Sequence, residues 1–284
     1  MKEIVVISGK GGTGKTSIVS SLAALGPKKV LADCDVDAAD LHLVLHPQIK
    51  EKHDFISGEK ATIDPELCIE CGECREKCRF GAISDNFKVL PEHCEGCGVC
   101  AYVCPADAVK MSPSHCGYLY VSDTRFGPMV HASLGIGEEN SGKLVTTVRK
   151  KAAELAREYG YELVLVDGSP GIGCPVIASL TNADLAVIVV EPTISAEHDM
   201  RRVHELTQHF NIQCLVILNK ADINVSISER IKDYCHKAEI PVLGTLPYDI
   251  KFTRAQIEGK SVVEFDPHGL GKEIEKIWQK MMSF

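Results

Sequence analysis

The glycine-rich stretch Ser8-Gly9-Lys10-Gly11-Gly12-Thr13-Gly14-Lys15-Thr16 stands between the apolar run Ile4-Val5-Val6-Ile7 and a helix-like stretch from Ser17 to Leu25. A buried strand, a glycine turn and a helix start, in that order, are the setting of a phosphate-binding loop. The pattern G-x-x-x-x-G-K-[ST] is complete in Gly9, Gly14, Lys15 and Thr16. Its chemistry explains its residue types. Gly9, Gly11, Gly12, Thr13 and Gly14 let backbone N–H groups curl around phosphate oxygens. The helix that Ser17 continues adds partial positive charge at its N-terminus. Lys15 reaches the β- and γ-phosphates, and the Thr16 hydroxyl can ligate Mg²⁺. A glycine turn that binds nothing would not need both the strand and the helix.

Lys10 lies inside this loop and cannot easily serve the same phosphate from the same direction as Lys15. The sequence K-G-G-T-G-K-T resembles the deviant Walker A loop of the MinD/ParA/Mrp class of ATPases, which includes the nitrogenase iron protein. In that class the first lysine reaches across a dimer to the partner's nucleotide. The resemblance implies that Lys10 acts in trans and that ATP is sandwiched between two subunits. An exposed loop charge is the plainer reading of Lys10. The class also implies a P-loop α/β fold, MgATP as ligand, and hydrolysis of ATP and water to ADP and phosphate.

The short strand Val30-Leu31-Ala32 leads into Asp33-Cys34-Asp35-Val36-Asp37-Ala38-Ala39-Asp40-Leu41. Carboxylates directly after a strand, beside a phosphate loop, can hold Mg²⁺ or orient the attacking water. The run resembles the switch I D-x-D segment of the class, which maps onto Asp33 and Asp35 as catalytic candidates. Asp33 is the better candidate for the water and the Mg²⁺ shell. Asp37 and Asp40 read equally well as helix N-cap residues.

Residues 61 to about 112 differ in composition. They hold nine of the thirteen cysteines, counting Cys116 just beyond. Cys68-x₂-Cys71-x₂-Cys74-x₃-Cys78 is followed by Cys94-x₂-Cys97-x₂-Cys100-x₃-Cys104-Pro105, an internal repeat of period 26. Gly72 and Gly98 occupy equal positions, as do Ala82 and Ala108. This is the spacing of two-cluster bacterial ferredoxins, in which the fourth cysteine of each run ligates the other cluster. One [4Fe-4S] cluster is then expected on Cys68, Cys71, Cys74 and Cys104, and a second on Cys94, Cys97, Cys100 and Cys78. Zinc also binds C-x₂-C pairs. A third cysteine after two more residues crowds a tetrahedral site but suits a cubane. Arg79 follows Cys78 where the pattern expects proline, which touches the turn and not the ligand set.

The two motif sets together look like the MinD-superfamily ATPases with an inserted ferredoxin domain. The expected division is an ATPase domain over 1–60 and 113–284, interrupted by a ferredoxin-like domain over 61–112. Gly127-Pro128-Met129-Val130-His131-Ala132 and Gly135 to Lys143 also resemble that subfamily. Glycine-rich and polar, this stretch reads as either a mobile loop near the nucleotide or a partner-docking segment. Cys116 reads as a buried thiol.

Beyond an amphipathic helix from Val145 to Tyr159, the strand Leu163-Val164-Leu165-Val166 ends in Asp167-Gly168-Ser169-Pro170-Gly171. An apolar strand ending in Asp is the Walker B pattern, and Asp167 can position Mg²⁺ through water. D-x-x-P-G resembles switch II of the class, which makes Gly171 a candidate γ-phosphate sensor. Further apolar strands cover 185–190, 214–218 and 240–244. Asn219-Lys220-Ala221-Asp222 resembles a purine-recognition element, with Asn219 on the adenine, and the class places a proline such as Pro247 against the base. His204 and His209 read as solvated residues of a helix from Met200 to Phe210. The helix from Gly271 to Met281 lacks the basic face of a membrane tail and reads as core. Cys174, Cys214 and Cys235 read as core thiols, with no two-cysteine bridging site.

Net charge is −8, and no basic run marks a nucleic-acid surface. The N-terminus reads as a strand, not a signal peptide, and no apolar run reaches the roughly 18 residues of a membrane span. A cytoplasmic protein without nucleic-acid or membrane partners is expected. Strands alternating with helices give a mostly parallel sheet with helices on both faces. The best expectation is an ATP-hydrolysing iron–sulfur protein. It dimerises on ATP with itself or a paralogue and passes low-potential electrons to a redox partner. The alternatives are a cluster assembly or transfer factor, and a redox-sensing positioning ATPase.

Overall fold

The computed structural model describes residues 1–36, 39–135 and 141–284. Asp37 and the 136–140 part of the glycine-rich segment lie outside the described residues. The chain divides into two compact units. The first comprises Met1–His53, Leu119–Ser133 and Ser141–Phe284. The second comprises Asp54–Tyr118 with, among the described residues, Leu134 and Gly135.

The strands are β1 (Lys2–Ser8), β2 (Val30–Asp33), β3 (Gln48–Ile63), β4 (Val109–Thr124), β5 (Gly127–Leu134), β6 (Leu163–Pro170), β7 (Leu185–Val190), β8 (Gln213–Leu218) and β9 (Val242–Thr245); all but 54–63 of β3, 109–118 of β4 and Leu134 of β5 lie in the first unit. The order is β3-β4-β5-β2-β6-β1-β7-β8-β9. Six neighbouring pairs, from β5–β2 through to β8–β9, run parallel. β4 turns back through Arg125 and Phe126 into β5, a hairpin that stands between β3 and the parallel strands. Strands buried on both faces read as unbroken apolar runs. Ile4 to Ile7 of β1 and Leu185 to Val190 of β7 are accordingly almost wholly inaccessible.

Helices α1 (Lys15–Ala23) and α2 (Leu41–Leu45) follow β1 and β2, and α5 (Ser141–Tyr159) and α6 (Cys174–Leu180) flank β6. α7 (Ile194–His209) and α8 (Val225–Lys237) follow β7 and β8, and α9 (Lys251–Ile257), α10 (Val262–Phe265) and α11 (Leu270–Met281) close the chain. On one face Ile18 and Leu22 of α1 pack in the same core as Ile274, Ile277, Trp278 and Met281 of α11. The terminal helix is therefore core, as its pattern indicated. Buried Lys29 donates to the carbonyls of Ala23 and Leu25, which α1 leaves without helical partners at its end. The tip of the β4–β5 hairpin is held by Arg125. It pairs with Glu264 at 2.8 Å and donates to the carbonyls of Val44, Leu45 and Gly259.

Two expectations about the first unit are corrected. The stretch from Gly127 to Leu134 is a sheet strand, with Met129 and Val130 paired to β2, not a mobile loop. His204 is buried, with Nδ1 2.9 Å from the Tyr234 hydroxyl, and is not a solvated surface residue.

The second unit shows the 26-residue repeat in its backbone. Short helices α3 (Glu73–Lys77) and α4 (Val99–Tyr102) start from Gly72 and Gly98, both left-handed. Leu90 N–H donates to the Ala82 carbonyl at 2.8 Å, and the equivalent Asp64 N–H donates to Ala108 at 2.8 Å. Gly96 cannot be replaced without a shift, because a Cβ there would stand 2.1 Å from the Glu59 carbonyl oxygen. Cys116 is buried and its thiol donates to the Ser57 carbonyl, as expected of a structural thiol. No helix among the described residues is long and apolar enough to cross a membrane.

Candidate nucleotide site and cysteine module

The strand order changes direction at β1, with β6 on one side and β7 on the other. Such a switch point leaves a crevice at the carboxyl ends of the strands. The phosphate-binding loop sits there and lines a cavity of about 420 Å³. Its walls include Gly11 to Ser17, Asp35, Asn219 and Pro247. Gly14 begins α1 in the left-handed conformation, and no acidic residue occupies the first turn of that helix. The first N–H groups of α1 therefore meet the cavity without a competing side-chain charge. A Cβ on Gly14 would come 2.4 Å from Asn219 Nδ2, and one on Gly9 would come 2.5 Å from Asp199 Cβ. Those two glycines are required by contact; Gly11 and Gly12 border open space.

Register places the carboxylates. Asp33 of β2 pairs in parallel with Asp167 of β6, which brings two buried acids side by side at the sheet's carboxyl end. Lys15 lies over them, its Nζ 2.5 Å from Asp167 Oδ1 and 3.4 Å from Asp35 Oδ2. Burial alone would depress the Lys15 pKa. The surrounding carboxylates of Asp167, Asp35 and Asp33 outweigh it and hold the ammonium above its ordinary value. Burial and the neighbouring Asp167 push the Asp33 carboxyl well above the usual range, against the pull of Lys15. Thr13 Oγ1, Asp33 Oδ2, Asp167 Oδ2 and Asn219 Oδ1 are buried with no hydrogen-bond partner among the described residues. Four such atoms around one loop are costly unless something else satisfies them. They fit a magnesium-bound nucleotide, which brings a cation for the carboxylates and polar atoms for the others.

Lys10 is not free in the loop. Its Nζ lies 3.0 Å from Glu191 Oε1 and 3.3 Å from Ser195 Oγ. The other Glu191 oxygen accepts from Lys220 Nζ at 2.8 Å, and Lys220 also donates to the Gly12 carbonyl at 2.8 Å. Glu191 thus ties the signature lysine, the loop backbone and the Asn219 segment together. This tie was not legible in sequence, where Glu191 only ends a strand. Asn219 Nδ2 donates to the Thr13 carbonyl at 2.8 Å. Asp222 accepts from the Tyr248 N–H at 2.6 Å and so fixes the loop that carries Pro247. Its carboxylate is committed to that backbone, not to reading a base. Tyr248, Phe252 and Gln256 complete the cavity wall, and Gln256 Nε2 bonds Ser17 Oγ at 2.8 Å. Gly171 is left-handed, and its N–H donates to the Ser8 carbonyl at 2.8 Å. Here the backbone at the end of β6 is tied to the end of β1.

In the second unit, Cys68, Cys71, Cys74 and Cys104 line one cavity, together with Ile63, Phe87 and Ala108. Cys78, Cys94, Cys97 and Cys100 line another, with Ala61, Phe80 and Met111. In each cavity three cysteines of one run meet the fourth cysteine of the other. At equivalent places the Ala82 N–H points to Cys78 Sγ at 3.4 Å and the Ala108 N–H to Cys104 Sγ at 3.3 Å. All thirteen cysteines are free of disulfides. Among the described residues, no group of three or more His, Cys, Asp or Glu is disposed to hold a single metal ion. Cys214 and Cys235 are buried, whereas Cys174 is exposed at the start of α6, which corrects its reading as a core thiol.

The model of the CobQ/CobB/MinD/ParA nucleotide binding domain matches residues 4–262. An uncharacterized protein of Methanocaldococcus jannaschii is 35% identical over 285 residues, covering 99% of this chain and 97% of that one. The septum site-determining protein MinD of Pyrococcus horikoshii, solved with Mg-ADP, shares the fold with a TM-score of 0.60 at 18% identity. That match covers 99% of this chain and 95% of the other. Pyruvate synthase subunit PorD of Methanothermobacter marburgensis is 38% identical over 52 residues, which is 18% of this chain and 64% of that protein.

Proposed function

The chain belongs to the CobQ/CobB/MinD/ParA nucleotide-binding family, and from that membership we propose that it is an ATPase that couples MgATP turnover to electron transfer through two [4Fe-4S] clusters. The observation that carries the iron–sulfur part is the sorting of eight cysteines into two cavities, the fourth cysteine of each run lying with the other run, with equivalent N–H contacts to sulfur. Cys68, Cys71, Cys74 and Cys104 would hold one cluster, and Cys94, Cys97, Cys100 and Cys78 the other. Each cluster would supply a one-electron redox centre. The 52-residue likeness to a pyruvate synthase subunit supports a redox setting.

In the ATPase unit, Lys15 and the N–H groups of the loop bind the β- and γ-phosphates. Thr16, Asp33 and Asp167 are the residues placed to hold Mg²⁺, directly or through water. Asp33 and Asp35 orient the attacking water, which in-line attack on the γ-phosphorus requires. Asn219 and Pro247 hold the base. Lys10 leaves Glu191 to reach the nucleotide of a second subunit, in a dimer of this chain with itself or a paralogue. A ferredoxin-like domain over residues 61–112, set between 1–60 and 113–284, would be the redox half. Nucleotide moves electrons only by favouring one conformation through differential affinity. Gly171, now bonded to Ser8, is a candidate for that change, because contact with a γ-phosphate would need its N–H released. Purification without oxygen should give about eight iron and eight acid-labile sulfide per chain. A stoichiometric zinc protein without sulfide would refute the reading.

A further inference from the structure

The internal repeat contains its own control. α3 and α4 share a left-handed glycine start and the same N–H to carbonyl spacing, so the fold asks the same of both. Their surfaces nevertheless differ. Glu73, Arg75, Glu76 and Lys77 of the first half are charged and exposed, as short surface helices ordinarily are. At the equivalent positions the second half carries Val99, Ala101, Tyr102 and Val103. Tyr102 is 91% exposed and Val99 41%. Phe80, 47% exposed, lines with Val99 the cavity of Cys78, Cys94, Cys97 and Cys100. Nothing in the backbone of the repeat calls for this exchange of charge for apolar surface. Exposed apolar side chains on a short helix, such as Val99 and Tyr102, mark interaction sites.

Charge identifies what would cover it. From Leu90 to Val109 the chain has Glu92, Glu95 and Asp107 and no lysine or arginine. The matching stretch from Asp64 to Ile83 sets Arg75, Lys77 and Arg79 among its acids. Of these cations only Arg79 adjoins Phe80 in sequence. Val99 and Tyr102 therefore stand in a stretch whose formal charges are all acidic, with Arg79 beside Phe80 the one cation adjoining these apolar residues in sequence, and that balance complements a basic rim.

We propose that Tyr102, Val99 and Phe80 form the docking face for a redox protein with an apolar centre and a basic rim. On this assignment the cluster on Cys78, Cys94, Cys97 and Cys100 exchanges electrons with that protein. The proposal rests on the iron–sulfur reading above. One electron leaves the reduced cluster for the acceptor; no bond is made or broken and no proton moves.

Cytochrome c, a basic haem protein, is the probe. Its ferric form is titrated calorimetrically against the oxidised full-length protein at low ionic strength, so that binding is read without electron flow. Its reduction to the ferrous form by the dithionite-reduced protein is followed separately. Tyr102→Ser should weaken binding and slow reduction by about tenfold, the effect of losing one aromatic anchor. Glu95→Gln should flatten the salt dependence of the rate. Glu76→Gln, at the Tyr102 position of the first half, should change either by less than about twofold. Equal binding and rates for Tyr102→Ser, with iron and sulfide at wild-type content, would overturn the proposal. A nucleotide-independent dimer that Tyr102→Ser disperses in sedimentation would also overturn it, because a second copy would then be the occupant. Preparations lacking iron and sulfide would overturn the underlying reading, and the docking face with it.

Discussion

The nucleotide cavity and the cysteine module solve the problem of positioning reactive groups from different resources. Around the cavity, the strands β1, β2, β6 and β7 are buried by one another and by α1, α5, α6 and α11. The carboxylates and Lys15 are placed by sheet register, a property of the protein alone. In the module the buried hydrophobic residues besides cysteine come to little more than Phe55, Ala61, Ala82, Ile83 and Ala108. A segment of that size rarely stabilises itself by apolar burial. Its cavities are walled by the cysteines themselves. The contrast teaches that register alone places the groups of the first site, whereas the second has little apolar core of its own to place its cysteines.

The most drastic way to break this contrast is to remove the clusters proposed for the module. Oxidative chelation should abolish ordered structure in the module, read as loss of protection from hydrogen exchange over 61–112. The β1, β6 and β7 amides should keep theirs, and ATP should still bind. If the whole chain unfolded together, the two regions would not differ as described.

A smaller effect comes from the other side. Lys15→Ala should weaken ATP binding by about 100-fold or more, because a charge-assisted phosphate contact is lost and Asp33 and Asp167 are left facing each other. Iron and sulfide should stay at wild-type content. Unchanged binding in a calorimetric titration would sink the phosphate-loop assignment.

Lys10 and Glu191 sharpen the comparison further. Lys10→Ala should leave binding near wild type and slow hydrolysis by about 100-fold, as loss of a group acting on the transition state does. Glu191→Gln frees Lys10 from its tie and should raise the ATP-dependent dimer fraction by about two- to fivefold, the worth of a partly exposed ion pair. A lower dimer fraction would show that Glu191 serves the dimer and does not restrain it.

What could be read beforehand follows the same physical division. The phosphate loop and the cysteine runs were legible because their chemistry needs particular residues close together in sequence. So were the buried parallel strands, whose apolar runs are continuous. β3 was not, because Gln48 to Ile63 is mostly exposed and carries little hydrophobic signal. β5 was masked by its Gly127-Pro128 start, which has the appearance of a turn. Glu191, Lys220, the Asp222–Tyr248 contact and His204 were missed for another reason. Each gains its role from a residue far away in sequence or on another element. Cys174 looked buried beside an apolar helix, yet the start of α6 turns it to solvent.

The central claim is that nucleotide state and cluster chemistry are coupled. The direct test is the reduction potential of each cluster, measured anaerobically on the full-length protein with and without MgATP. A shift in at least one potential on binding MgATP, absent in Lys15→Ala, is the expected result. Potentials that stay the same in both states, with nucleotide bound and both clusters intact, would contradict it.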